Sequence, residues 1–342
     1  MGRYCASLFS DEDLAKQLLH VRLDRKAGGV FERNAYDTGE PKILKHLKFP
    51  VPASLWNGLA GRSLKGRRRM HLTTQNLSML AEPDSLVTVH DLFYRTLPRN
   101  GSDPLLGRWL YSGLSRAGSI VADSQATASE LGNLLGSRCP PLEVVYLFVD
   151  VPTLLPQKQD AVPYLIHVSS EEPRKNFDVV LQAFAILKSR PGNESLRLIK
   201  VGRAYASQAR AAHEKLASEL GVAQWLEFRE GVGNTELERL YASAEVSIFP
   251  SSAEGFGYPL LESLAQGTPV VAGDIPVLRE LGGDCVDYVP CRDPLAIADA
   301  AGVHFGAGND ATRELLCNRA RLFSRDRFVS TMSQVYSRLW SV

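Results

Sequence analysis

Two short stretches hold the residue types that could do chemistry. In "SSAEGFGYPLLESLAQGTP" (251–269), Glu254 lies in a glycine-bearing loop and Glu262 in the apolar segment that follows. In "EEPRKNF" (171–177), Arg174 and Lys175 sit side by side. Two cations next to the unbonded N–H groups of a helix start can cradle a diphosphate. Carboxylates accept hydrogen bonds from ribose or sugar hydroxyls, so the combination suits a nucleotide sugar. Each stretch alone also has a plainer reading: Glu262 as a complement to a helix dipole, Glu254 as a solvated loop charge, and Arg174–Lys175 as a solvated basic turn.

The elements that must position these groups follow from hydrophobic periodicity. From about residue 160, short apolar runs alternate with amphipathic segments, which predicts strand–loop–helix units around a parallel sheet. "YLIHVSS" (164–170) reads as a buried strand, followed by a helix with Phe177, Val180, Leu181, Phe184 and Leu187 on one face. "LRLIKVG", "WLEFRE" and "EVSIFP" read as further strands, "YASQARAAHEKLASELG" as a helix closed by Gly221. "NTELERLYASA" reads as a helix opened by a Thr235–Glu238 capping box. Pro259 fits the first turn of a helix over "PLLESLAQ" and Gly267 its far end, while Gly255 and Gly257 let backbone approach a ligand. In the first half, "LVTVHDL" (86–92), "GSIVADSQ" (118–125) and "LEVVYLFVD" (142–150) read as strands. Residues 151–163, rich in proline and polar groups, read as a linker.

Composition bounds the partners. The chain has 342 residues, 44% hydrophobic and 23% charged, enough for about two domains. Its 39 basic and 38 acidic side chains nearly cancel, which argues against nucleic acid as a partner. Five cysteines without CxxC spacing point to free thiols, a cytoplasmic setting and no metal site. No apolar run reaches membrane-spanning length, and acidic residues interrupt what a signal peptide would keep apolar.

The motifs "HVSSEEPRKNFDVVLQAFAIL", "ELERLYASAEVSIFPSSAEGFGYPLLESLAQGTPVVAGDIPVLREL" and "RLFSRDRFVSTMSQVYSRLW" resemble the retaining glycosyltransferases of family 4, over nearly all of residues 86–342. The resemblance implies an α/β architecture of two Rossmann-like domains facing across a cleft, the GT-B fold. It implies an acceptor-side domain over 1–155, a nucleotide-sugar domain over 156–320, and a terminal helix over 321–342 that packs back on the first. The implied reaction moves a hexose from a nucleotide diphosphate sugar to the hydroxyl of an acceptor sugar or lipid-linked saccharide, with retention and without a metal or other cofactor. Glu262 would bind the ribose. Glu254, with the backbone of Gly255, Phe256 and Gly257, would hold the transferred sugar. Arg174 and Lys175 would neutralise the departing diphosphate, and His90 of "VTVHDLFYRTLP" would face the sugar across the cleft. Glu254, His90, Arg174 and Lys175 are thus the candidate catalytic residues.

Two departures from the family pattern stand out. Ser169 and Ser170 occupy the place of the family's usual glycine after the first strand of the donor domain. "MGRYCASLF" resembles the segment that follows the usual first strand and glycine turn, so the N-terminal sheet is expected to lack that strand. Gly28 and Gly29 read as a hairpin turn rather than a displaced phosphate loop. The basic, partly apolar stretch 41–70 is a candidate for peripheral contact with an anionic membrane, with a solvated surface as the alternative. Two other functions remain open at this level: a nucleotide-sugar-binding or scaffold protein that has lost catalysis, and a glycoside hydrolase built on the carboxylate pair.

Overall fold

The computed structural model describes residues 19–24, 29–34, 42–46, 70–93, 111–154, 162–306 and 309–340, the first three segments as backbone only. The chain divides into two compact units, residues 1–147 with 325–342, and residues 148–324.

Among the described residues, the first unit holds two sheets. Strands β1 (Leu19–Asp24), β2 (Gly29–Asn34) and β3 (Lys42–His46) form an antiparallel meander, in which Asp24 pairs with Gly29. Gly29 opens β2, and Gly28, the other half of the pair read as a hairpin turn, lies outside the described residues. The meander itself is not legible in the sequence. Of the 41–70 stretch read as a candidate membrane surface, 47–69 lies outside the described residues, as does the start of the chain through residue 18.

The second sheet is parallel, in the order β4 (His71–Leu72), β5 (Leu86–Val89), β6 (Ser119–Ala122), β7 (Leu142–Val144). β5 and β6 are buried at every position, hence their uninterrupted apolar runs. β7 stops after three residues, so the predicted strand over 142–150 is mostly irregular chain. Helix α1 (Gln125–Leu135) follows β6, capped by Ser124, whose hydroxyl accepts from the Thr127 N–H.

The second unit is built on six parallel strands, β8 (Tyr164–Val168), β9 (Arg197–Val201), β10 (Leu226–Arg229), β11 (Val246–Phe249), β12 (Val270–Gly273) and β13 (Asp287–Val289). Their spatial order is β10-β9-β8-β11-β12-β13. The chain builds outward from β8 in one direction, then returns beside β8 with β11 and builds outward in the other. The loops after β8 and β11 therefore diverge from a switch point, the place where open α/β sheets form a crevice at their carboxyl edge. Helices α2 (Phe177–Lys188), α3 (Ser207–Glu219), α4 (Asn234–Ser243), α5 (Tyr258–Ala265), α6 (Pro276–Gly282), α7 (Pro294–Gly302) and α8 (Asp310–Arg321) cover the sheet. Phe177, Val180, Leu181, Phe184 and Leu187 of α2 are all buried in one core with Leu165, Leu198, Ile248 and Ile297.

The capping-box reading of α4 does not hold. The helix starts two residues earlier than that cap would place it, at Asn234, with Gly233 as its cap and no side-chain cap bond, which puts Thr235 inside the first turn. Helix α9 (Arg325–Trp340) belongs to the first unit. There Tyr336 Oη lies 2.7 Å from His71 Nδ1, and Trp340 Nε1 donates to the Asp84 carbonyl at 2.8 Å.

Candidate active site

The turn after β8 is shaped by two residues with restricted backbones. Pro173 starts a 3₁₀ turn over Pro173–Lys175, and Asn176, at φ 53° and ψ 41°, ends it in the left-handed region before α2 begins. Asparagine tolerates that conformation better than most residues. It is also anchored there: Asn176 Nδ2 donates to the Pro250 carbonyl at 2.8 Å, and Arg292 donates to Asn176 Oδ1 at 2.9 Å. Pro250 directly follows β11, so the asparagine ties together the two loops that diverge at the switch point. The Ser252 N–H donates to the Arg174 carbonyl at 2.9 Å and adds a second tie.

Between these loops Arg174, Lys175 and Glu254 form one cluster. Lys175 Nζ donates to Glu254 Oε1 in a very short bond. Arg174 Nη1 reaches Glu254 Oε2 at 3.2 Å and the Ala253 carbonyl at 2.8 Å, and its Nε reaches Glu172 Oε2 at 2.9 Å. The Lys175 and Glu254 side chains are 9% and 8% exposed, so this is a buried pair rather than a surface contact. Burial alone would raise the Glu254 pKa, but Lys175 and Arg174 outweigh it and hold the carboxyl below its usual range. Burial pulls the Lys175 pKa down, with Glu254 opposing. Burial likewise works against Arg174, yet Glu254 and Glu172 raise it on balance.

Glu262 is placed differently. It sits inside α5, where Tyr241 Oη donates to its Oε2 at 3.3 Å. The reading of the two glutamates as separate groups on either side of one helix start is thus the geometry found, but only Glu254 joins the cations. Phe256 is buried, its ring edge-on to Tyr258 and Phe323. Gly257 caps α5 at φ 116°, where a Cβ would come 2.8 Å from Leu278 Cδ2. Pro259 lies in the first turn and Gly267, at φ 69°, just past the end. Gly255 lies between Glu254 and this buried anchor, so the loop backbone has little freedom beyond that residue.

His90 lies at the end of β5 in the first unit. Its Nδ1 is 2.5 Å from Asp123 Oδ2 and its Nε2 is 3.0 Å from the Thr73 carbonyl. A carboxylate oxygen and a carbonyl oxygen both accept, so both ring nitrogens must carry protons for the two bonds to form. Burial would lower the His90 pKa, but the charge and hydrogen bond of Asp123 raise it above its ordinary 6.5. The ring is an imidazolium clamped at both ends.

Several residues at the site were not singled out from the sequence. Glu172 and Asn176 lie within the quoted motif. Glu171 is fully buried and paired with Arg210 and with His213 Nδ1 at 3.1 Å. Arg210 and His213 sit on α3, more than thirty residues away in sequence, where nothing in the helix pattern marks them. Among the described residues, no group of three or more His, Cys, Asp or Glu is placed to hold a metal ion. Nor is any helix among them long and apolar enough to cross a membrane.

Comparison with known proteins places this geometry. Residues 156–300 match the family model of glycosyl transferases group 1. The chain is 30% identical over 200 residues to the MMP alpha-(1->4)-mannosyltransferase of Mycolicibacterium hassiacum, covering 57% of this chain and 46% of that protein. It is 26% identical to the O-antigen chain mannosyltransferase RfbU of Salmonella typhimurium, over 67% of this chain and 62% of that one. A D-inositol 3-phosphate glycosyltransferase of Xylanimonas cellulosilytica is 30% identical over 64% of this chain and 56% of its own length. The chain therefore spans about half the length of the curated relatives it matches. Among solved structures, sucrose-phosphate synthase from Thermosynechococcus elongatus superposes with a TM-score of 0.71 at 19% identity, covering 87% of this chain and 82% of that one. HepE of Anabaena, in complex with UDP and glucose, gives 0.68 at 16% identity, over 85% and 84%. These likenesses are to GT-B folds. Residues 156–300 thus carry the likeness to glycosyl transferases group 1, and the chain has the α/β fold of the GT-B glycosyltransferases.

Proposed function

We propose that this protein is a retaining, metal-independent hexosyltransferase of glycosyltransferase family 4, which moves a sugar from a nucleotide diphosphate donor to a hydroxyl of a saccharide or lipid-linked saccharide. The observation that carries the reading is the Arg174–Lys175–Glu254 cluster at the switch point of the β8–β13 sheet. The mannosyltransferase names of its relatives and the UDP and glucose bound by HepE support it.

In this account the diphosphate competes with Glu254 for Lys175 and Arg174. When it takes the cations, the Glu254 carboxylate turns to the hydroxyls of the transferred sugar, held by the backbone of Gly255, Phe256 and Gly257. The same cations then stabilise the charge that grows on the leaving diphosphate, which needs no metal. Glu262 accepts from the ribose hydroxyls, oriented by Tyr241. His90 contributes as a fixed imidazolium near the reacting sugar rather than as a proton acceptor, because both its nitrogens already donate. The protein would work in the cytoplasm, where nucleotide sugars are available to it, with any membrane contact peripheral.

The test is a panel of UDP-, GDP- and ADP-sugars scored for thermal stabilisation and then for release of nucleoside diphosphate, since a specific ligand raises apparent stability by mass action. One donor that both stabilises and turns over supports the reading. Stabilisation with no turnover across acceptors makes the protein a nucleotide-sugar binder. No stabilisation at millimolar concentration overturns the donor site altogether.

A further inference from the structure

A lysine in the middle of a buried parallel strand is costly unless its charge is used, because burying an ammonium group without partners is strongly unfavourable. Lys200, in β9, is fully buried. Its Nζ donates to the Ser169 carbonyl at 2.6 Å and to the Val201 carbonyl at 3.1 Å, and lies 5.6 Å from the centre of the Phe177 ring. The Ser169 N–H in turn donates to the Val201 carbonyl at 3.0 Å. Lys200 therefore closes a cross-link between the carboxyl ends of β8 and β9.

Ser169 is held a third way. His167 Nδ1 is 2.7 Å from the Ile248 carbonyl, an acceptor, so that nitrogen carries the proton. Burial brings the His167 pKa down to about 3, so the ring is neutral and its Nε2 accepts, from Ser169 Oγ at 2.7 Å. Ser169 is thus fixed at its N–H, its carbonyl and its hydroxyl. Gly202, at φ 122°, presses on the same carbonyl: a Cβ there would come 2.1 Å from Ser169 O. The turn that begins at Ser169 runs through Glu171 and Glu172 to Arg174 and Lys175.

We infer that Lys200 is a positioning residue of the donor site: it holds the Ser169 carbonyl so that the turn carrying Arg174 and Lys175 meets a nucleoside diphosphate in one orientation, and it places a positive charge behind that turn. The inference rests on the donor-site reading above. The charged and titratable groups facing Lys200 are His167 from β8, Glu171, Lys175, Arg210 on α3 beside His213, and Glu230 after β10. Burial sets its pKa at about 8, with Glu171 opposing and Arg210 adding to the fall. Below that pH the lysine is charged and favours a bound anion. Affinity for the diphosphate falls as pH rises through that value.

The experiment is calorimetric titration of wild type, Lys200→Met and Lys200→Gln with UDP, GDP and ADP between pH 7 and 9, with melting curves on each protein. Methionine fills the lysine's volume, and the change strands no buried carboxylate, since Lys200 donates to carbonyls while Glu171 keeps Arg210 and His213. The expected result is a Lys200→Met protein that melts no lower than wild type, binds the diphosphate about tenfold more weakly at pH 7, as loss of one charge-assisted contact implies, and shows a flatter pH profile. A folded Lys200→Met that binds at wild-type strength and keeps the wild-type pH profile overturns the role of Lys200 while leaving the donor site standing. If the methionine variant does not fold, Lys200→Gln, which keeps a donor without the charge, decides by the same pH profile. Failure of wild type to bind any of the three diphosphates removes the site and this role together.

Discussion

Lys175 and Glu254, 79 residues apart, form a buried ion pair that joins the two loops diverging at the sheet's switch point. Each side chain is the other's main source of charge compensation, and Arg174 shares the carboxylate. Removing one partner of such a pair leaves an uncompensated buried charge, at a cost of about 3–5 kcal/mol. Lys175→Met should therefore destabilise the fold more than the double variant Lys175→Met/Glu254→Gln, and denaturant titration of the cycle measures the difference. The pH dependence has a definite sign. The folded-state pKa of Glu254 is lowered, so its contribution is present above the unfolded carboxylate value of about 4.5 and is lost as pH falls through the folded one.

The imidazolium at His90 depends on Asp123. Asp123→Asn should lower the His90 pKa, because it removes the close opposite charge that raises it, as read by NMR titration of the ring protons. Because the folded pKa is raised, the stability this pair provides is full below about 6.5 and lost as pH rises through the folded value. Asp123→Asn should flatten that loss. An unmoved His90 titration would contradict the clamp.

Tyr241 donates to Glu262, so Tyr241→Phe leaves that carboxylate less well oriented for ribose. On the proposed role, the donor KM rises about three- to tenfold, the scale of one hydrogen bond, while kcat at saturating donor is unchanged. A fall in kcat alone would move Glu262 out of the ribose site.

Gly257 serves the loop through its backbone. Gly257→Ala meets a positive φ that costs about 1–2 kcal/mol for other residues and a close contact with Leu278. A lower melting temperature and a weakened donor affinity are expected together, because the residue caps the helix that carries Glu262.

Lys200 connects stability to pH in the same sense as Glu254, at higher pH, and in the opposite sense from His90. Its folded pKa lies below the ordinary 10.5, so the unfolded chain binds more protons between about 8 and 10.5 and wild-type stability gains with pH across that window. Lys200→Met removes the gain, and paired melting curves at pH 7.5 and 9.5 show it as a smaller pH difference in the variant.

The parallel sheet of the second unit was legible because its strands are buried on both faces and separated by amphipathic helices; the runs at Tyr164, Arg197, Leu226 and Val246 fall where the sequence put them. The chemistry-bearing residues were legible because Arg174 and Lys175 stand side by side at a strand-to-helix turn, and Glu254 and Glu262 flank the helix start marked by Gly257 and Pro259. What the sequence did not show is which groups touch. Nothing local says that Lys175 spends its charge on Glu254 while Glu262 turns to Tyr241. Nor does it mark Glu171, Arg210 and His213, which meet only after α3 folds across the β8 turn. Lys200 reads as one charge in a strand whose other charge, Arg197, is exposed, and only the burial separates them. The β1–β3 meander escaped because its strands mix charged and apolar residues without a clean alternation, which leaves the register to long-range pairing.

The central claim is that Lys175 and Arg174 hold the donor's diphosphate while Glu254 serves the sugar, and one comparison tests it most directly. With the nucleotide sugar that stabilises wild type, nucleoside diphosphate affinity and turnover are measured for Lys175→Met and Glu254→Gln. The account predicts that Lys175→Met loses diphosphate affinity by about tenfold or more. It predicts that Glu254→Gln, having relieved the cations of a competing carboxylate, binds the diphosphate at least as tightly as wild type yet turns over about 10²-fold more slowly or worse. Wild-type turnover in Glu254→Gln, or wild-type diphosphate affinity in Lys175→Met, would contradict it.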